Sequence, residues 1–156
     1  GFRAVPAGHD PFRRSTNMSE QGTLRLRSGE GAGLRFEAMF STGNLVMDSG
    51  ETATDPNPMQ ALLASIAACE GMDVISLLRK KRQQVTAYEV RMSGERYTDH
   101  PRRFTHIELV HHVTGRGVSE SAVVDALRLT VEKYCSVYHS IRPDIVITNS
   151  FEIHEG

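Results

Sequence analysis

Cysteine is scarce in this chain: two in 156 residues, too few for the disulfide framework that holds small secreted domains together. Its core must come from apolar burial, and the length, near that of one ordinary domain, allows it. A surplus of either charge is equally absent. Eighteen Lys and Arg face nineteen Asp and Glu, a net charge of -1. A general nucleic-acid binder needs a basic excess to displace counterions from phosphates, so that class is excluded. No apolar run approaches the length needed to span a bilayer, and no stretch has the basic start, apolar middle and small-residue end of a signal peptide. Repeats and low-complexity tracts are missing too. These absences point to a cytoplasmic protein with neither a nucleic-acid nor a membrane partner.

What is present reads as one α+β domain. Residues 1–17 show neither helical nor strand periodicity, and Met18-Ser19-Glu20 looks like a natural start. The first seventeen residues are therefore expected to be a cloning remnant or a loose, disordered tail, and residues 18–156 a single domain. Leu24 and Leu26 alternate with Arg25 and Arg27, 28–33 reads as a turn, and Leu34, Phe36, Ala38 and Phe40 alternate with Arg35, Glu37 and Met39. With a third strand at 45–47 this makes a meander. Asn57-Pro58 then announces a helix, Asn as cap and Pro at the first position. Between Met59 and Cys69 only Gln60 and Ser65 are polar, so this helix should be buried on several sides. It ends on Arg79-Lys80-Lys81-Arg82, cations that suit the negative end of the helix dipole. Strands at 86–96 and 104–113 follow, then a helix opened by Ser119 that carries Val123, Val124, Leu127, Val131 and Tyr134 on one face, and a last strand at 145–153. Strands and helices are segregated and the connections mainly antiparallel.

Cys69 closes the apolar half of the first helix, and Cys135 lies near the end of the second. Both could simply be small buried hydrophobes, since free cysteine is among the most buried residue types. Metal binding has little to stand on. Cys135 and His139 share a helical face, but His111 and His112 are strand neighbours that point to opposite faces. There is no Cys-x-x-Cys, no His-x-x-x-His and no third ligand in evident register, so no metal or other cofactor is expected. His111 alternates with Ile107, Leu109 and Val113 and belongs in or near the core. Serine catalysis lacks a Gly-x-Ser-x-Gly elbow, and Gly29-Glu30-Gly31-Ala32-Gly33 joins two strands, unlike a phosphate cradle.

The stretch from Asn57 and Pro58 through Ala61, Leu62, Leu63, Ala64, Ile66, Ala67 and Ala68 to Cys69 resembles the OsmC/Ohr superfamily of hydroperoxide-reducing proteins. Lys133-Tyr134-Cys135-Ser136-Val137 is similar to that family's second cysteine segment. The resemblance spans residues 22–155 and implies the OsmC-like fold: antiparallel strands around a long buried central helix, in an intertwined homodimer. It further implies a thiol peroxidase without metal, haem or selenium. Cys69 would attack an organic hydroperoxide and become a sulfenic acid, Cys135 would condense with it to a disulfide, and a lipoylated protein or other dithiol would restore both. Such a thiol must ionise, and Cys69 lies about three turns into its helix, beyond reach of the dipole. A cation must help. In well-described branches of the family it is an Arg of the N-terminal hairpin, held by a Glu directly after the Asn-Pro pair. This chain departs there, with Met59 in that place. Arg27, at the mouth of the first turn, is the candidate cation among Arg25, Arg27 and Arg35. Asp73, one turn beyond Cys69, is the candidate anchor for it. The alternative is a branch that keeps fold and dimer but binds a small hydrophobic ligand or senses thiol oxidation.

Overall fold

The computed structural model describes Ala4 and residues 18–27 and 34–156. The proposed tail, Ala4 apart, and the turn at 28–33 lie outside the described residues. The chain gathers into two compact units, 1–58 and 59–156.

The first unit is the expected meander. Strands β1 (Thr23–Leu26), β2 (Phe36–Phe40) and β3 (Gly43–Met47) pair antiparallel in chain order, with Leu26 opposite Phe36 and Phe36 opposite Met47. Ala38 is buried at its centre. On the ladder's polar side Arg27 reaches Glu37 at 2.5 Å, and Asn44 donates to the other oxygen of that carboxylate at 2.9 Å.

The second unit packs helices on one face of a three-stranded sheet. Helix α1 (Pro58–Lys80) begins at the Asn57-Pro58 pair and runs 23 residues. It is, by length and composition alone, apolar enough to cross a membrane, which corrects the expectation that no run approaches that length. Its fully buried Ile66, Val74 and Leu78 nonetheless pack on protein. Arg82, with a positive φ of 57°, stops it. Gln83 N–H then bonds back to Leu78 O and Arg82 N–H to Arg79 O, the paired closing bonds of a helix end whose turning residue is usually glycine.

Strands β4 (Gln84–Arg96) and β5 (Phe104–Arg116) form a long antiparallel pair. The final strand β6 (Val146–Glu155) pairs with β5 in parallel, so the sheet order is β4-β5-β6. The expectation of mainly antiparallel connections holds for the other strand pairs, and this last strand is the exception. A parallel neighbour needs a crossover, and the helical segment between β5 and β6 supplies it. Helix α2 (Glu120–Leu129) opens at Ser119, whose hydroxyl accepts the Ala122 N–H, and buries Val123, Ala126 and Leu127 against Val74, Leu78 and Val113. A second cluster joins Ile66 and Ala67 to Phe104, Ile107 and Leu109.

The expected helix through 137 does not form. A π-helical turn, Thr130–Tyr134, follows α2; Cys135 is extended (φ -70°, ψ 100°), and a short helix α3 (Ser136–Ser140) begins after it. The i→i+5 bond from Cys135 N–H to Thr130 O rotates the chain out of register. Tyr134 and Val124, expected on the apolar face, are both about half exposed.

Gly115 lets the backbones of β4 and β5 approach closely at their end: a methyl there would stand 2.1 Å from the Gln84 carbonyl oxygen. Gly115→Ala should therefore lower unfolding free energy by about 1–3 kcal/mol, read as a lower urea midpoint at unchanged slope.

Candidate active site

The two cysteines reach each other from different elements. Cys69 is half-buried on α1, and Cys135 is fully buried where the π turn gives way to α3; both are free thiols. Their sulfurs and a carboxylate oxygen of Asp73 all lie within 4.8 Å of one another. Asp73 follows Cys69 by one turn, so the helical repeat places it over the same spot. Of the four residues singled out in the sequence, the second unit thus brings three together. Arg27 belongs to the first unit, where its guanidinium is paired with Glu37. That pairing holds the Glu37 carboxyl below its usual range, the hydrogen bond being the larger cause.

The surroundings set the thiols apart. Burial pushes Cys135 up to about 12, against the opposing effect of the Tyr138 N–H, which donates to its Sγ at 3.4 Å; proximity to Cys69 and the charge of Glu70 push the same way as burial. Asp73 is raised as well, first by desolvation and then by Glu70. One of its carboxylate oxygens is buried without a hydrogen-bond partner, and among the described residues no ion pair engages it. Desolvation and Glu70 both favour its protonated form beside the thiols.

Glu70, next to Cys69 in the sequence, is a nearby acid whose burial the sequence did not reveal. A charged residue in an otherwise apolar helix reads as the start of its wet face, yet Glu70 is completely buried and neither oxygen has a hydrogen bond. Its nearest basic group is His111 Nε2, 3.5 Å away and too far for one. His111 sits in the core as expected. It hydrogen-bonds Tyr88 Oη through Nδ1 at 2.5 Å and Asn149 Oδ1 through Nε2 at 2.8 Å. Because the Asn oxygen can only accept, Nε2 donates to it. Burial and Glu70 together raise Tyr88, which keeps that phenol protonated. The paired alternation of 107, 109, 111 and 113 was enough to find His111; nothing in the sequence marks its partner on α1.

Two further observations concern ligands. Cys69, Asp73 and Cys135 could together hold a metal ion, the third ligand that the sequence spacing did not reveal. On a different face of α1 from the thiols, an open apolar cleft of about 420 Å³ runs along α1 and β4, lined by Ala68, Gly71, Met72, Ile75, Tyr88 and Val90. His139, by contrast, turns its ring to the Val131 carbonyl.

A central helix laid on a three-stranded sheet, presenting one thiol to a second from the crossover, defines a dithiol protein of α+β architecture. A profile of the OsmC-like protein family matches residues 50–150, and the chain belongs to that family. It is 39% identical over 122 residues to protein YhfA of Escherichia coli K12, covering 78% of this chain and 91% of YhfA. A crystal structure of a protein from Aquifex aeolicus VF5 superposes with a TM-score of 0.79 at 31% identity, over 90% of this chain and 99% of that one. The organic hydroperoxide resistance protein OhrB of Bacillus subtilis shares the fold, with a TM-score of 0.57 at 16% identity over 85% of this chain and 98% of OhrB.

If burial and Glu70 hold the second thiol protonated, alkylation of Cys135 in a Cys69→Ser variant should be slow at pH 8 and rise only well above the usual thiol range. Adding Glu70→Gln should move that midpoint down, because it removes a negative charge that disfavours thiolate. Iodoacetamide rates across pH, followed by mass spectrometry, check both.

Proposed function

We propose that this protein is a thiol peroxidase that reduces organic hydroperoxides through Cys69, with Cys135 as the resolving thiol. The observation that carries the reading is the unequal pair: two free thiols within 4.8 Å, of which one is buried and held protonated while the other is the more accessible. Only thiolate attacks peroxide, so the asymmetry divides the roles.

The Cys69 thiolate attacks one peroxide oxygen, the O–O bond breaks, and the alkoxide leaves as an alcohol once protonated. Cys69 is then a sulfenic acid. Cys135 attacks that sulfur, the S–O bond breaks, oxygen departs as water, and a disulfide remains. An external dithiol, a lipoylated protein for instance, returns two electrons and two protons. We assign Asp73 to the protons: it delivers one to the leaving oxygen and accepts the one Cys135 must release. Arg27 is assigned as the cation that favours the Cys69 thiolate. Its partner Glu37, across the β1–β2 ladder, takes the place of the glutamate that Met59 replaces.

The apolar cleft along α1 and β4, which neither cysteine lines, is a surface for an apolar ligand. Met72, 73% exposed, stands on that same side of the helix with Ala64 and Ala68, and it supports an intertwined homodimer in which a second copy covers this surface. Two free thiols fit a reducing compartment, and we place the protein in the cytoplasm. The same cleft favours a second reading, a non-catalytic protein that binds a small hydrophobic ligand or registers thiol oxidation.

Rapid mixing of the reduced protein with cumene hydroperoxide separates the two. Peroxidase chemistry requires fast loss of both thiols in the unaltered protein, a lasting sulfenate in Cys135→Ser, and no reaction in Cys69→Ser. Thiols that survive excess peroxide leave the binding protein. Asp73→Asn, with both cysteines kept, should slow disulfide formation by about 100-fold, seen as accumulation of the Cys69 sulfenate by dimedone trapping.

A further inference from the structure

The parallel pairing of β5 and β6 has a second result, on the face of the sheet turned away from α1. His112 stands in register with Glu152, and Thr114 with His154. Residues two apart on a strand share a face, so Glu152 and His154 project together beside His112. Their polar atoms converge: His112 Nδ1 lies 3.1 Å from His154 Nε2 and 3.4 Å from Glu152 Oε2, and His154 Nε2 lies 3.6 Å from the same oxygen. The two imidazoles are stacked, with centroids 5.4 Å apart and planes 12° from parallel.

From these distances we infer a divalent transition-metal site formed by His112, Glu152 and His154. An ion held at about 2.1 Å by tetrahedral ligands separates them by roughly 3.4 Å. The observed triangle has that size, so one ion just above its plane reaches all three atoms without a change of backbone. The donor set is two imidazoles and one carboxylate on one side of the ion, a combination that suits zinc and the neighbouring first-row ions and leaves the outward positions to water. His112 is fixed by packing. Its side chain is 12% exposed, its Nε2 is buried without a hydrogen-bond partner, and Nδ1 is its outlet toward the cluster. Glu152 and His154 are open to solvent, which gives the ion its way in. The remaining charged neighbour across the ladder, Glu89 opposite His112, is tied to Arg91 at 2.9 Å.

The missing acceptor at His112 Nε2 sets the strength. High-affinity zinc sites give each histidine such a partner, and its loss typically weakens binding by about 10–100-fold. Because the imidazoles bind only without their protons, binding should also weaken toward acid pH.

Zinc chloride titrated calorimetrically into the full chain tests this, with Cys69→Ser and Cys135→Ser in place so that the thiol cluster takes no metal. One ion per chain is expected, weakened at least about tenfold by His112→Ala or His154→Ala and unchanged by His106→Ala, with the fold checked by circular dichroism. In the unsubstituted chain, zinc should protect His112 and His154 from diethyl pyrocarbonate, read by mass spectrometry. Absence of saturable binding, binding indifferent to both substitutions, or no protection would overturn the site.

Discussion

A helix with almost no wet side is a demand on everything around it. The second unit covers part of the apolar surface of α1 and leaves Ala64, Ala68 and Met72 exposed. Ile66 and Ala67 take the sheet through Ile107 and Leu109, while Val74 and Leu78 take both the sheet and α2. Each fully buried Leu or Val contributes about 1.5–3 kcal/mol relative to its exposed state, so a handful of such contacts outweighs any single polar interaction here. The same coverage places the chemistry. Cys69 comes at the point where α1 is flanked by the crossover, which is why a residue from beyond β5 can meet it.

Burial also fixes the electrostatics. Acids on a surface helix would be indifferent to nearby thiols, screened by water. On α1, Glu70 and Asp73 share the low-dielectric side with Cys69 and Cys135, so each charge is felt by its neighbours. Glu70 is a cost to folding, because a buried carboxyl without hydrogen bonds forgoes its hydration and regains little. Such costs persist in proteins where they serve a site. Within the second unit the acids Glu70 and Asp73 are the charged groups described beside the thiols.

Patterns with a short period were legible in the sequence. The alternation of Leu34, Phe36, Ala38 and Phe40 gave β2, Asn57-Pro58 gave the start of α1, Ser119 the start of α2, and the row 107, 109, 111, 113 the inward face of β5. The two cysteines stood out through their flanking segments. What escaped was anything without a local signature. Val123, Leu127, Val131 and Tyr134 continue a helical period through the π turn, because an i→i+5 bond leaves no mark in the order of residues. The parallel direction of β6 depends on how the chain returns, and a single strand reads the same either way. Glu152 and His154 lie 40 and 42 residues from His112, so their meeting is a property of register alone.

That parallel return has a kinetic consequence. The β4–β5 pair is joined by a short loop and can form early, since little chain entropy is lost in closing it. β6 can dock only after the whole crossover has been laid across α1, and contacts of such sequence separation form slowly. Both the thiol pair and the histidine cluster draw one member from the hairpin or helix and another from the crossover or the strand that follows it. The histidine cluster does not exist until β6 has paired with β5, whereas the thiol pair needs only the crossover to have reached α1.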